Sequence, residues 1–189
     1  MISCLRHKQG ITLFELLTCL STISILLALA LPSLAQLQTA LQNAAAVKIL
    51  RQSIGIARAQ AITSRSFVTL CRSEDGRSCG GRWEQGVLIF TDKDGDRVLE
   101  DEDTLTAYYR FPDFKGRIHW RAFQNRQYLQ ITPAGATRYQ NGSFTVCAED
   151  SDPKATQQLI LSRTGRARLA QDNDGNGIRE NSRGRPIRC

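Results

Sequence analysis

The chain is poor in the residue that enzymes most often use to move protons: two histidines stand in 189 residues. His7 lies in a short basic N-terminal stretch and His119 in a strand-like run, where it reads as a surface or packing residue. No nucleophile elbow, phosphate-binding glycine loop or metalloprotease motif accompanies them, so nothing in the pattern supports catalysis, and the chain reads as a non-enzyme. Internal repeats and low-complexity segments are also missing. The six cysteines lack the paired short spacings of a zinc site. Cys4 and Cys19 lie before or within an apolar run and are poorly placed for bridging. Cys71, Cys79, Cys147 and Cys189 lie in the polar remainder, an even number suited to an oxidising compartment. The pairs expected are Cys71–Cys79, bracketing a tight polar loop, and Cys147–Cys189, tethering the last residue.

Acidic residues are scarce in the second part of the chain. Residues 1–103 hold 11 Lys/Arg against 11 Asp/Glu, whereas residues 104–189 hold 14 against 7, so the whole formal charge of +7 collects there. Such asymmetry points to a polyanionic partner, or to a solvated basic surface.

The N-terminus carries a different signal. Residues 1–10 are basic, with Arg6, His7 and Lys8, and end at Gly10. An apolar run from Ile11 to Leu31, bounded by Pro32, then has about the ~20 residues a helix needs to cross a bilayer. The preceding basic residues should stay cytoplasmic and send the remainder outward. A secretory signal is cut after its apolar run; here the plausible cut precedes it. Glu15 is a carboxylate inside an apolar helix, which is costly without a partner. Cleavage after Gly10 frees an amine on Ile11 that can pair with Glu15 of a neighbouring subunit in a staggered array.

Beyond Pro32 the pattern is amphipathic. Leu34, Leu37, Leu41, Ala44, Val47, Leu50, Ile54, Ala57 and Ala61 recur at intervals of three and four, predicting a helix to about Ile62 whose outer half lies against a sheet. From Phe67 the period shifts toward two. Strands are expected at 67–71, 83–91, 104–111, 117–123, 128–132, 143–148, 157–163 and 166–170, separated by turn residues such as Asn141-Gly142 and Thr164-Gly165. The fold class is therefore α+β: a long N-terminal helix, membrane-spanning over 11–33, packed on an antiparallel β-sheet domain over 63–189.

Gly10 followed by Ile-Thr-Leu-Phe-Glu-Leu-Leu resembles the prepilin peptidase site of type IV pilins and type II secretion pseudopilins, with Ile11 where Phe usually stands. Pro32 resembles their helix-kinking proline. The resemblance implies a leader over 1–10 removed by prepilin peptidase, N-methylation of Ile11, an inner-membrane anchor, a periplasmic domain, and assembly with other pilins or pseudopilins. Trp83 through Phe90 with Thr91-Asp92-Lys93-Asp94-Gly95-Asp96, Asn141 through Cys147, and Leu161 through Arg168 are similar to the GspH/FimT branch. FimT-type minor pilins present a Gly-Arg-x-Arg element for DNA uptake. Gly165-Arg166-Ala167-Arg168 matches it, and Gly184-Arg185-Pro186-Ile187-Arg188 resembles it with one extra residue. Arg163, Arg166, Arg168, Arg183, Arg185 and Arg188 are thus the candidate DNA contacts, since arginine forks suit phosphate oxygens. The alternative functions are an H-type pseudopilin of a type II secretion system and a membrane-anchored calcium-binding adhesin-like module.

Two acidic loops bear on that last alternative. Asp92, Asp94, Asp96, Glu100 and Asp103 have nearly the ligand spacing of an EF-hand loop, and Asp172, Asp174 and Asn176 with Gly177 form a shorter version. Both lack the final glutamate, and Arg97 stands where the first loop should have glycine. Calcium is the one cofactor the sequence suggests, against the plain reading of metal-free hairpin tips.

The processing reading predicts that the mature protein begins at N-methylated Ile11 when measured by intact mass. Gly10→Ala should slow cleavage, and Glu15→Ala should leave membrane insertion intact while impairing assembly. A mature chain starting at Met1, or beyond Leu31, contradicts this.

Overall fold

The computed structural model describes residues Thr12–Cys189, except for the side chains of Leu29 and Pro32. Gly10 and Ile11, the expected processing site, lie outside the described residues, as does the Pro32 side chain. The chain divides into two compact units, one ending at Gln38 and one over Thr39–Cys189.

A single helix, α1 (Leu13–Ser64), contributes to both. It starts where the backbone N–H of Glu15 donates to Thr12 Oγ1 at 3.2 Å, which satisfies one of the helix's free amides. Its apolar part has a mean hydropathy of 2.1 and is long enough to cross a membrane. The hydroxyls within this stretch fold back onto the helix: Thr18 donates to the Glu15 carbonyl at 2.9 Å and Ser21 to that of Leu17 at 2.8 Å. Few polar groups are thereby left asking for water. Leu13, Leu16, Leu20, Leu26, Leu34 and Leu37 are all exposed.

Within the second unit α1 becomes amphipathic. Ala46, Val47, Leu50, Ile54, Ala57 and Ala61 are buried at helical spacing, which is the expected outer half of the stripe. The earlier members of that stripe differ from expectation: Leu34, Leu37, Leu41 and Ala44 are exposed, because the core begins only at Asn43 and Ala46. The helix ends as Arg65 turns left-handed, at φ 53°, a common way to stop a helix.

Eight strands follow, as the alternation predicts. They are β1 (Phe67–Arg72), β2 (Val87–Asp92), β3 (Thr104–Tyr109), β4 (Arg117–Ala122), β5 (Tyr128–Ile131), β6 (Gly142–Cys147), β7 (Gln157–Leu161) and β8 (Ala167–Leu169). They form two antiparallel four-stranded sheets, ordered β3-β2-β1-β5 and β4-β6-β7-β8. One hydrophobic core joins the α1 stripe to Val68, Leu70 and Ile89 of the first sheet and Trp120, Phe144 and Leu159 of the second. All six residues of β2 are buried, since Leu88 and Phe90 meet a second small cluster on the far side. That explains an unbroken apolar run where one-sided burial would alternate.

The expected strand from Trp83 starts late. Residues 83–86 make a turn instead, held by the Gln85 N–H donating to the Arg82 carbonyl at 3.1 Å and by Gln85 Oε1 accepting from the Arg82 N–H at 2.6 Å. Trp83 is freed to pack edge-on, 4.9 Å from the Phe144 ring centroid, while Trp120 stacks on Phe144 at 4.3 Å and meets Trp83 at 6.4 Å. The strand expected at 166–170 is also shorter. Gly165 closes its hairpin with φ +74°, and a Cβ there would collide with the Gly135 carbonyl oxygen.

Both expected disulfides are present, Cys71–Cys79 and Cys147–Cys189, with Cα–Cα separations of 5.6 and 5.8 Å. Chain-entropy arguments assign them about 2.5 and about 4 kcal/mol, the longer loop gaining more. Cys147→Ala with Cys189→Ala should therefore lower the denaturation midpoint more than Cys71→Ala with Cys79→Ala. Phe144→Ala, which removes the ring that both tryptophans pack against, should cost about 3–5 kcal/mol. Chemical denaturation of the three variants checks this ranking, and equal losses for the two cysteine pairs would refute the loop-length account.

Candidate functional site

β4 reads Arg117-Ile118-His119-Trp120-Arg121. Burial of Ile118 and Trp120 against the core forces the three basic residues to the outer face, because strand side chains alternate. Pairing then extends that face across the sheet. Arg121 stands opposite Ser143, Ser143 opposite Ile160, and Ile160 opposite Arg168. Directly opposed residues share a face, so Arg121 of one edge strand and Arg168 of the other project the same way, about 14 Å apart at ~4.8 Å per strand. The next row is His119, Thr145 and Gln158, with the Gln158 amide donating to Thr145 Oγ1 at 2.9 Å.

The second row, with Arg121, borders an open groove of about 970 Å³ lined by Arg72, Arg82, Arg117, Arg121 and Arg188. One acidic side chain, Glu84, also lines it. It meets Arg82 at 3.4 Å, the only side-chain ion pair within 4.0 Å among the described residues. The remaining four arginine side chains have no carboxylate within 4.0 Å among the described residues. The indole N–H of Trp120, a residue 3 % exposed, is buried on the core side of β4 and has no acceptor among the described residues. A groove rich in guanidinium groups without ion-pair partners can hold anions, phosphate oxygens above all.

The arginines singled out from sequence are distributed unevenly. Arg188 enters the groove, positioned by burial of Ile187 and by the Ile187 N–H donating to the Arg179 carbonyl at 2.9 Å. Arg168 is on the same sheet face, at the far edge. Arg166 stands just before β8 at the hairpin end, where its N–H donates to Ser162 Oγ at 3.3 Å. Arg163 is exposed in the same turn, its carbonyl accepting from Thr137 N–H at 3.0 Å. Arg183 and Arg185 flank the tip of a tight turn in which both N–H groups donate to Asn181 Oδ1. The C-terminal segment is thus folded back rather than loose, with Glu180 bridging Pro186. Arg72, Arg82, Arg117 and Arg121 escaped the sequence reading. The basic-apolar alternation of β4 was the available signal for two of them; Arg72 and Arg82 arrive through tertiary folding alone.

The two acidic loops differ. In the first, Asp92, Asp94 and Asp96 bring carboxylate oxygens within 4.8 Å of one another, but Glu100 and Asp103 do not join them, which corrects the five-ligand expectation. Asp103 is occupied in accepting from the Lys93 and Glu100 N–H groups at 3.1 and 3.3 Å. Asp92 is wholly buried and accepts from Thr69 Oγ1 at 2.5 Å, Gln130 Nε2 at 2.8 Å, Gly95 N–H at 2.7 Å and Arg97 N–H at 3.2 Å. Arg97 takes the left-handed conformation at the glycine position, φ 75°. Its guanidinium donates to Tyr128 Oη at 3.1 Å and lies over that ring. The Tyr128 hydroxyl, and then the charges of Asp92 and Asp96, hold its pKa above the ordinary value. This loop carries its own cation.

In the second loop Glu180, which the ligand spacing did not single out, brings its carboxylate within 4.8 Å of those of Asp172 and Asp174. Asn176 donates through Nδ2 to Asp174 at 2.8 Å. Asp172 accepts from Gly175 and Gly177 N–H groups, each at 2.8 Å.

Residues 46–165 match the family model described as type II transport protein GspH. Over 165 residues the chain is 28% identical to the pilin-like protein PilA1 of Thermus thermophilus, covering 86% of this chain and 98% of that protein. The type IV minor pilin FimU of Pseudomonas aeruginosa superposes with a TM-score of 0.53 at 16% identity, over 67% of this chain and 87% of that one. Its second crystal form gives 0.51 over 67% and 91%. At such identity the likeness is one of fold.

The loops should titrate in opposite directions. The charge of Asp96, then desolvation and the charges of Asp94, Asp103 and Glu102, raise the Glu100 pKa, whereas the Gly177 N–H, helped by the Gly175 N–H against an opposing desolvation, lowers that of Asp172. Folding thus disfavours ionised Glu100, an unfavourable contribution present at neutral pH and relieved as pH falls through its folded value. For Asp172 the contribution is favourable above its unfolded value and lost as pH falls through its lower folded one. Carboxyl NMR should show Glu100 protonating well before Asp172 on acidification, and Asp94→Asn with Asp96→Asn should bring Glu100 back toward normal. The reverse order would refute the assigned causes.

Proposed function

Because the chain belongs to the GspH family, and is thus a pilin-like structural subunit rather than an enzyme, we propose that it is a minor pilin whose basic sheet face binds DNA during uptake. Its coarser role, a minor pilin or pseudopilin subunit of a type IV pilus or type II secretion system, follows from the family. The finer reading rests on one observation: the β4 arginines, Arg168 and Arg188 share the outer surface of one sheet, largely without carboxylates to neutralise them. A flat row of guanidinium groups suits a phosphate backbone, and nothing on this face is shaped to read base edges. Binding is therefore phosphate-directed and tolerant of sequence.

The N-terminal part of the proposal follows the same family logic. Prepilin peptidase cuts after Gly10, Ile11 is methylated, and the first part of α1 anchors the protein in the inner membrane with the β domain on the periplasmic side. In a filament the exposed leucines from Leu13 to Leu41 find neighbours, with Glu15 facing the Ile11 amine of another subunit and Pro32 bending the helix to fit. A second reading is favoured by the description of the family model itself: an H-type minor pseudopilin of type II secretion, with no nucleic-acid role.

A salt titration of duplex DNA binding by the full chain in nonionic detergent separates them. With three or four phosphates neutralised, the log–log slope should be about −3, from about −0.9 per phosphate. Arg117→Gln with Arg121→Gln, and Arg188→Gln separately, should flatten the slope and weaken binding to all sequences alike. Arg166→Gln with Arg168→Gln should do so too, since Arg168 shares the face. Arg51→Gln, on α1, should change little. No retention on DNA at low salt would sink the uptake role and leave the secretion pseudopilin.

A further inference from the structure

Two acidic loops of like pattern stand in this chain, and they differ in one respect that sequence cannot show. Asp92 of the first is buried and fully supplied with donors, and Arg97 brings a positive charge beside it. In the second, the buried acid is Glu180, 7 % exposed. Its Oε2 accepts from the Asn173 N–H at 2.8 Å and the Asn173 side-chain amide at 3.0 Å. Its Oε1 is buried with no partner. A buried carboxylate oxygen without a donor is costly, and a cation is a partner that would satisfy it.

The surroundings favour a cation. The Glu180 carboxylate lies within 4.8 Å of carboxylate oxygens from Asp172 and Asp174, so three formal negative charges converge on one point. Arg179, the adjacent cation, is turned aside to the carbonyls of Lys154 and Thr156 at 3.4 and 3.2 Å. Gly177 occupies the position that Arg97 fills in the first loop, with φ +86°, so the loop supplies no charge of its own there, and the aliphatic stem of Lys154 packs beside it. Counting Asp172 as the first position, Asp174 is third, Gly177 sixth and Glu180 ninth, while the twelfth, normally a bidentate glutamate, is Arg183.

We propose that the loop from Asp172 to Glu180 is a calcium site, with Asp172, Asp174 and Glu180 as its carboxylate ligands. All donors are oxygens, which selects a hard cation over zinc or copper. Three carboxylates on a loop edge, with water completing the shell, suit the flexible coordination of calcium better than the strict octahedron of magnesium. Without the twelfth-position glutamate the affinity belongs to the weak extracellular range, about 10⁻⁴–10⁻³ M. Glu180 also opens the segment that carries Arg183, Arg185 and Arg188, so the ion fastens the loop to that segment.

Equilibrium dialysis of the full chain in nonionic detergent against radiolabelled calcium tests this. One site in that affinity range is expected, with magnesium competing poorly at equal concentration. Glu180→Gln should weaken binding at least tenfold, and so should Asp174→Asn, an exposed position whose substitution spares the fold if Glu180→Gln does not. Asp94→Asn with Asp96→Asn should leave the site intact. Absence of binding at millimolar calcium overturns the proposal. So does binding that survives Asp174→Asn but disappears with the Asp94 and Asp96 substitutions.

Discussion

The burial of one helical stripe, Ala46 to Ala61, beneath two separate sheets is the constraint from which the rest of the β domain follows. Ala46, Leu50, Ile54, Ala57 and Ala61 of that stripe join one core with residues from both sheets. Strand side chains alternate, so each strand that supplies a residue to this core must turn its neighbours outward. The core therefore dictates the surface. Trp120 faces inward to stack on Phe144, and Arg117, His119 and Arg121 face outward as a consequence.

That coupling explains why a basic groove can arise from residues with no local clustering. Arg72 ends β1, Arg82 precedes a turn, Arg117 and Arg121 lie on β4, and Arg188 lies near the end of the chain. Ile187 supplies the last piece: its burial, with the Cys147–Cys189 bridge two residues later, brings the C-terminal segment to the sheet. The disulfide thus has a positional consequence besides its entropic one, since Arg188 lies between two anchored residues.

The acidic loops teach a related lesson about charge. Each concentrates carboxylates at a hairpin tip, yet the first balances its buried Asp92 with four donors and the nearby Arg97 guanidinium. The second leaves Glu180 half satisfied. Ligand spacing alone ranked the first loop above the second, because spacing counts acids and says nothing about which of them are already hydrogen-bonded.

Much of the fold was legible in the residues themselves. Periodicity of three and four gave the helix, alternation gave eight strands, and cysteine placement gave both bridges, because these depend on local geometry and on which residues can be buried. The apolar run at the N-terminus likewise declares its length and its lone acid without any tertiary help. The basic motif was half legible: Gly165-Arg166-Ala167-Arg168 could be read as a string, but its companions on the face could not. Register across four strands put Arg121 and Arg168 on one surface, and the turn at Trp83 put Arg82 beside them. Only the packed structure decided that Glu180 joins Asp172 and Asp174 in the second acidic loop, and that Asp92 is already satisfied. Sequence fixes the period and polarity of each element; which distant polar groups meet, and which are left without partners, is settled only when the elements close over a common core.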